Sequence, residues 1–243
     1  MLEDITKRSG PRARGNRIRQ VALRCGVLLL FAASPAWTAS PNAEANAISV
    51  EHVELNGHTV HYLAAGPKTG QPVLLLHGAR YHSGTWKDLG TLEKMADAGF
   101  RALAIDLPGF GKSSSWEVDS KAFLGELIDA LKIARPVVIA PSMSGKFAFP
   151  LVANSPEEIV GFVPISAVGT PRYTRRIKDN PVSVLVVWGT GDHMYKTQEH
   201  RALAARFKTS QLLMLHRSGH AAYLDETIRF HDVLMGYLAG LDG

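Results

Sequence analysis

Val73-Leu-Leu-Leu76 and Val184-Leu-Val-Val187 are short runs in which every side chain is apolar. Successive side chains in a strand point to opposite faces, so such a run is stable only where both faces are covered, as in a parallel sheet between two helix layers. Runs of this kind recur from Ile48 onward and alternate with longer amphipathic stretches. That alternation predicts an α/β fold with an eight-stranded, mostly parallel sheet flanked by helices. The strands are expected at 49–55, 58–64, 72–77, 101–106, 136–141, 161–166, 183–188 and 211–216, and the helices at 85–98, 119–133, 142–153, 195–207 and 222–239. Asn56-Gly57 is a hairpin signal, so the first two strands should pair antiparallel. Residues 167–181 form a connection of only fifteen residues, too short for an inserted lid domain.

The chain has 243 residues, 46% of them apolar, which suits one domain with a sizeable core. Its formal charge of +5 is confined to the start of the chain. Residues 1–26 hold seven basic residues (Lys7, Arg8, Arg12, Arg14, Arg17, Arg19, Arg24) against Glu3 and Asp4, and the remainder is balanced at 20 basic and 20 acidic. A balanced body argues against nucleic acid as a partner. The basic stretch runs into the apolar Cys25–Ala33 and then into small residues near Ala39, Ala45 and Ala47. Cationic, apolar, small-residue is the order of a secretory signal. The apolar run of about nine residues, or fifteen with its looser tail, falls short of the ~20 that a spanning helix needs. The expectation is a signal peptide over 1–39, with an end as late as residue 47, a domain over 48–243 and a periplasmic or secreted protein without stable membrane insertion after cleavage. The alternative is an uncleaved membrane anchor. Cys25, the single cysteine, lies inside that segment, so the mature chain would have no disulfide, thiolate metal site or cysteine nucleophile.

Chemistry concentrates in Pro136-Val-Val-Ile-Ala-Pro-Ser-Met-Ser-Gly-Lys146, where a buried strand stops at a serine and a helix begins at once. This is the setting of a nucleophile elbow. The turn is tight enough that the positions two before and two after the nucleophile must be small. Ala140 and Ser144 meet that requirement around Ser142, although the usual glycines are missing. Ser144 as nucleophile would put Lys146 at the crowded position and is the poorer candidate. A serine hydroxyl needs a base, and the base needs an orienting group. The strand 183–188 leads into Gly189-Thr-Gly-Asp192 and the strand 211–216 into Arg217-Ser-Gly-His220, so Ser142, Asp192 and His220 all follow strands at one edge of the sheet. Asp225 could compete for the acid role but opens a helix and reads as a cap. The other nine histidines have no such placement. A tetrahedral oxyanion also needs two donors. The amide of Met143 after the elbow, and that of Ala79 in Leu76-His77-Gly78-Ala79, about 65 residues earlier, are the candidates.

LLLHG, AIDLPGFGKS, the serine elbow, VVWGTGD and SGH together resemble the α/β-hydrolase superfamily over nearly all of 48–243. HGARYHSGTW, VVIAPSMSG and GFVPISAVGT are similar to the abhydrolase-domain-containing 14 group within it. The resemblance implies an α/β-hydrolase fold without a lid, activity on small acyl esters and, for one member of the group, lysine deacetylation with transfer of the acetyl group to coenzyme A. It also marks Asp106–Gly111 as a structural loop.

The expected activity is a serine hydrolase in which Ser142, His220 and Asp192 cleave small acetyl-like esters through an acyl-enzyme, with Ala79 and Met143 as oxyanion hole. Arg80, Tyr81, His82 and Trp86, together with the 167–181 segment, are expected to form the pocket mouth. Neither a metal nor an organic cofactor is expected, and the partner is a small-molecule acyl substrate. Two alternatives stay open: an acyl transferase passing acetyl to a thiol such as coenzyme A, and a noncatalytic hydrolase-fold binding module.

Overall fold

The computed structural model describes residues 47–194 and 198–241. The expected signal peptide therefore lies outside the described residues. Among those described, no helix is long and apolar enough to cross a membrane.

Eight strands form one sheet: β1 (Ser49–Leu55), β2 (His58–Ala65), β3 (Pro72–Leu75), β4 (Arg101–Ile105), β5 (Val137–Pro141), β6 (Gly161–Ile165), β7 (Asn180–Gly189) and β8 (Phe207–Leu215). Their spatial order is β1-β2-β4-β3-β5-β6-β7-β8. β1 and β2 pair antiparallel through a turn in which Asn56 and Gly57 both have positive φ, the backbone that matches strand twist in a two-residue hairpin. β2 also runs antiparallel to β4, and all later pairs are parallel.

The doubly apolar runs divide between two cores by strand alternation. Leu74, Leu76, Leu103, Val138, Val184 and Val186 face one layer, built on α3 (Phe123–Leu131) and α4 (Gly145–Asn154), with α5 (Thr170–Thr174) and α6 (Glu199–Ala204) beside them. Val73, Leu75, Ala102, Ile139, Leu185 and Val187 face the other, which holds residues of α1 (Ser83–Asp88), α2 (Thr91–Asp97), α7 (Ala222–Asp225) and α8 (Thr227–Ala239).

Three of the departures from the expected boundaries have local reasons. The single helix expected over 85–98 breaks into α1 and α2 at Gly90, whose φ of +69° no helix accommodates. The helix expected over 222–239 breaks at Glu226, whose φ of −126° and ψ of +50° are not helical. β8 starts at Phe207 rather than 211 because its first half, Lys208–Gln211, is polar and exposed at the edge of the sheet, where no apolar pattern is needed.

Candidate active site

β5 ends at Pro141 and Ser142 follows with a φ of +49°. A left-handed residue with a side chain costs about 1–2 kcal/mol, so the surroundings must hold it. The Ser142 carbonyl accepts from the Val168 amide at 2.8 Å. The Ser144 hydroxyl donates to the Pro141 carbonyl, also at 2.8 Å. Ala140 and Ser144 are fully buried, and a Cβ at Gly145 would overlap the Val168 carbonyl oxygen. The demand for small residues, read from the sequence at 140 and 144, thus extends to 145.

The elbow points the serine hydroxyl at an imidazole. Ser142 Oγ lies 2.8 Å from His220 Nε2, and His220 Nδ1 lies 2.9 Å from Asp192 Oδ2. A carboxylate only accepts, so Nδ1 carries the proton and donates it to Asp192, which leaves the Nε2 lone pair to accept the Ser142 hydroxyl. The Asp192 side chain is completely shielded from solvent, and its second oxygen accepts from the Met194 amide at 2.9 Å. Both oxygens therefore have directed partners and the carboxylate cannot swing away from the ring.

The loops carrying Asp192 and His220 are bolted to each other. The Gly191 amide donates to the Ser218 carbonyl at 2.8 Å, and the Thr190 amide donates to Leu215 at 2.9 Å. The Thr190 hydroxyl accepts from the Arg217 amide at 2.9 Å. Gly189 is the contact point: a Cβ there would overlap the carbonyl oxygens of Ser218 and Gly219. Asp225, read from the sequence as a helix cap, instead accepts from the Gly219 amide at 2.8 Å and tethers the residue before His220. It stands at the end of α7, two residues before α8, and its carboxylate goes to Gly219 rather than to the first amides of α8.

The loop after β3 runs against the serine, with the Gly78 Cβ position 3.5 Å from Ser142 Cβ. Among the described residues, no carbonyl accepts from the amides of Ala79 or Met143. Ala79 lines the same cavity as Ser142, and Met143 follows Ser142 in the chain. His77 fixes this loop from behind: it is fully buried, its Nδ1–H donates to the Gly78 carbonyl at 2.8 Å, and its Nε2 accepts from the Leu107 amide at 3.0 Å. That bonding requires the neutral ring, and burial holds the His77 pKa below the ordinary histidine value. Asp106 braces the next turn, accepting from the amides of Ser83 at 2.6 Å and Lys112 at 2.9 Å and from His61 Nδ1 at 2.8 Å. Burial alone would raise its pKa, but these donors outweigh burial and keep it below the ordinary range. The loop is structural, as its motif implies.

Ser142 and His220 open into a cavity of about 470 Å³, within the size range of small-molecule sites. Gly78 to Tyr81 form one side and Pro141 the base, while Met194, Ala221 and Tyr223 complete the wall. Arg80 and Tyr81 line this cavity. Two other expected pocket residues do not. His82 is exposed, and its Nδ1 accepts from the Gly84 amide at 3.1 Å to cap α1. Trp86 is fully buried, its indole N–H donating to the Leu76 carbonyl at 2.7 Å and its ring stacked on Tyr223 at 5.0 Å, so it backs the wall without lining it. The 167–181 segment is likewise committed elsewhere: Val168 holds the elbow, and Tyr173 of α5 stacks on Phe149 at 5.0 Å. Met194 and Tyr223 take these places. Tyr223 follows His220 by three residues, a spacing that could have indicated it. A concavity of about 450 Å³ at the far sheet edge, between Ser49, Lys68 and Arg101, brings no hydroxyl to an imidazole. Among the described residues no cluster of metal-ligating side chains occurs.

Sheet order, serine elbow and the convergence of three post-strand loops define an α/β-hydrolase-type protein. Residues 71–179 match the family model for the alpha/beta hydrolase fold, a span that includes Ser142 and ends before Asp192 and His220. ABHD14B of Homo sapiens, whose name proposes protein-lysine deacylation, is 36% identical over 204 residues, covering 78% of this chain and 94% of its own. ABHD14A of Danio rerio is 36% identical over 179 residues, 70% of this chain and 65% of its own. The crystal structure of a predicted CIB-like hydrolase from Thermoplasma acidophilum superposes with a TM-score of 0.75 at 23% identity, covering 81% of this chain and all of that one. The chain belongs to the α/β-hydrolase superfamily and, within it, to the ABHD14 group.

Proposed function

We propose that this protein is a serine hydrolase that cleaves small acyl esters through a covalent acyl-enzyme. The observation that carries the reading is the unbroken hydrogen-bond line from Ser142 Oγ through His220 to Asp192, opening on a cavity. His220 Nε2 takes the Ser142 proton as Oγ bonds to the acyl carbon, and the carbonyl electron pair moves onto oxygen. The amides of Ala79 and Met143 hold that oxyanion, each worth about 3–4 kcal/mol in the transition state. Asp192 stabilises the imidazolium without taking its proton. Collapse of the intermediate expels the alkoxide, which receives the proton from His220. Water then repeats the sequence on the acyl-enzyme, regenerating the serine and releasing the acid.

The short loops around the cavity support small acyl groups over long chains. A screen of esters of graded acyl length on protein lacking residues 1–39 tests this, with Ser142→Ala as the null variant. The expected result is a preference for the shortest chains and no turnover by the variant. A preference for chains beyond about eight carbons would contradict the compact pocket.

The name of ABHD14B favours a second reading, deacylation of protein lysines, to which the family resemblance adds transfer of the acyl group to a thiol such as coenzyme A. Export, which the basic, apolar and small-residue order of the first 47 residues supports, favours water as acceptor, because coenzyme A is not expected outside the cytoplasm. Acyl release measured with and without an added thiol separates the two, and acceleration by thiol would select the transferase.

A further inference from the structure

Among the described residues, Arg80 is the only permanently charged side chain on the wall of the cavity that holds Ser142 and His220, and no carboxylate shares that wall. Arg80 also lacks a counter-ion. Among the described residues it makes no salt bridge, no side-chain hydrogen bond and no contact with an aromatic face. The acids of the surrounding loops are committed elsewhere. Asp192 gives one oxygen to His220 and the other to the Met194 amide, and its side chain is completely shielded. Asp106 is taken by Ser83, Lys112 and His61, and Asp225 by the Gly219 amide. The wall therefore carries one positive charge and nothing to neutralise it.

The position of that charge ties it to the reaction. Arg80 follows Ala79, the candidate oxyanion donor, and adjacent Cα atoms are about 3.8 Å apart. A substrate group held by the guanidinium can thus lie only a few bonds from the scissile carbonyl. Other parts of the wall cannot solvate an anion: Pro141, Met194 and Ala221 have no side-chain donor, and the Tyr223 hydroxyl is buried out of a ligand's reach. Tyr81, half-buried beside Arg80 on the same wall, adds a neutral phenol donor. We propose that Arg80 is a specificity-determining residue that pairs with a carboxylate of the substrate, so that the favoured substrates are small esters carrying a second, ionised carboxyl group. This rests on the ester-hydrolase reading above and deepens it by naming the substrate class. The guanidinium suits that role because it is always charged and presents its N–H groups as a planar fork that matches a carboxylate.

The test uses ester pairs in which a carboxamide replaces the carboxylate with almost no change of shape: monomethyl succinate against methyl succinamate, and acetoxyacetate against acetoxyacetamide. The first pair puts the charge on the acyl side, the second on the alcohol side. The readout is the ratio of kcat/KM for the charged and the neutral ester, compared between the wild type and Arg80 variants, so that intrinsic reactivity differences cancel. In at least one pair Arg80→Gln should lower that ratio by about threefold to 30-fold, between the effect of an exposed ion pair and that of a charged hydrogen bond. Arg80→Lys keeps the charge without the fork and should fall between the two. Salt should erode the wild-type ratio and leave that of Arg80→Gln nearly flat, since the Debye length contracts from about 10 Å at 0.1 M to about 3 Å at 1 M. Arg175→Gln, which removes an exposed arginine just after α5 and outside the cavity wall, should change neither ratio. Wild-type ratios in Arg80→Gln for both pairs, or an equal fall in Arg175→Gln, would mark Arg80 as a solvated rim charge and overturn the proposal. Phosphonate labelling of Ser142 in the wild type is run in parallel. Unchanged ratios with labelling intact remove the Arg80 proposal alone, whereas absence of labelling removes the hydrolase reading and the proposal with it.

Discussion

Gly189→Ala is the most informative single substitution outside Ser142, His220 and Asp192. It adds one methyl group at the crossing of β7 with the loop that carries His220. The new Cβ would stand 2.9 Å from the Ser218 carbonyl carbon, where ordinary contact begins at 3.4 Å, and it would overlap the carbonyl oxygens of Ser218 and Gly219. Everything it meets is backbone, so no rotamer change relieves it. The His220 loop must retreat by at least about 0.5 Å, and by more at the oxygens, a displacement in the range where a 1 Å error costs about 100-fold in rate. Asp192 sits on the other side of the crossing, and the Gly191–Ser218 hydrogen bond links the two loops, so the shift is delivered to the Asp192–His220 contact. Overpacking should also remove about 1–3 kcal/mol of stability. The assay is kcat/KM on a short-chain ester with active-site titration to count competent molecules, alongside a thermal melt. We expect kcat/KM to fall by about tenfold to 100-fold while the protein remains folded. Activity within threefold of wild type in a folded protein would refute the view that this crossing sets the catalytic geometry.

Other substitutions test separate parts of the account. Trp86→Ala should cost about 3–5 kcal/mol in urea denaturation, as expected for a core residue, whereas a pocket-lip residue would cost less than 1. Asp106→Asn should lower stability by about 2 kcal/mol at neutral pH by weakening buried amide contacts. It should also flatten the acid limb of the stability curve, because a carboxyl held below its ordinary 3.8 stabilises the fold above that pH and loses its effect as pH falls through its own depressed value. His77 behaves oppositely to a paired histidine: its pKa lies below 6.5, so its contribution is full above 6.5 and drains away as pH falls towards the folded value. Melting temperature should therefore drop between about pH 7 and pH 5, and less steeply in His77→Gln. Replacing Asp225 by Ala should reduce kcat only severalfold, since its bond to the Gly219 amide is exposed and Asp192 still orients the ring.

Much of the site was legible because strand ends are legible. Apolar runs such as Val73–Leu76 mark strands, parallel strands share an edge, and the residues after 141, 188 and 215 must then meet. Ser142, Asp192 and His220 follow from that reasoning almost without reference to side-chain detail. Boundaries failed where tertiary context overrode local pattern. Gly90 breaks a continuous apolar period, and the polar start of β8 is a strand only because it borders β7. The pocket wall was the least legible part. Trp86 is expected at the pocket mouth, but its indole N–H bonds the Leu76 carbonyl inside the core, and Tyr223, stacked on it, lines the cavity instead. Which aromatic of a stacked pair faces a cavity is decided by packing between α1 and α7, elements more than a hundred residues apart.

The central claim is that the hydroxyl at position 142 is made nucleophilic by the ring at position 220. The most direct measurement is the rate and the residue of covalent modification by a fluorophosphonate, read by peptide mass spectrometry on wild type and His220→Ala. The account predicts a single adduct on Ser142, forming at least about 1,000-fold more slowly in the variant. An adduct on another residue, or one that forms at an unchanged rate without the imidazole, would contradict it.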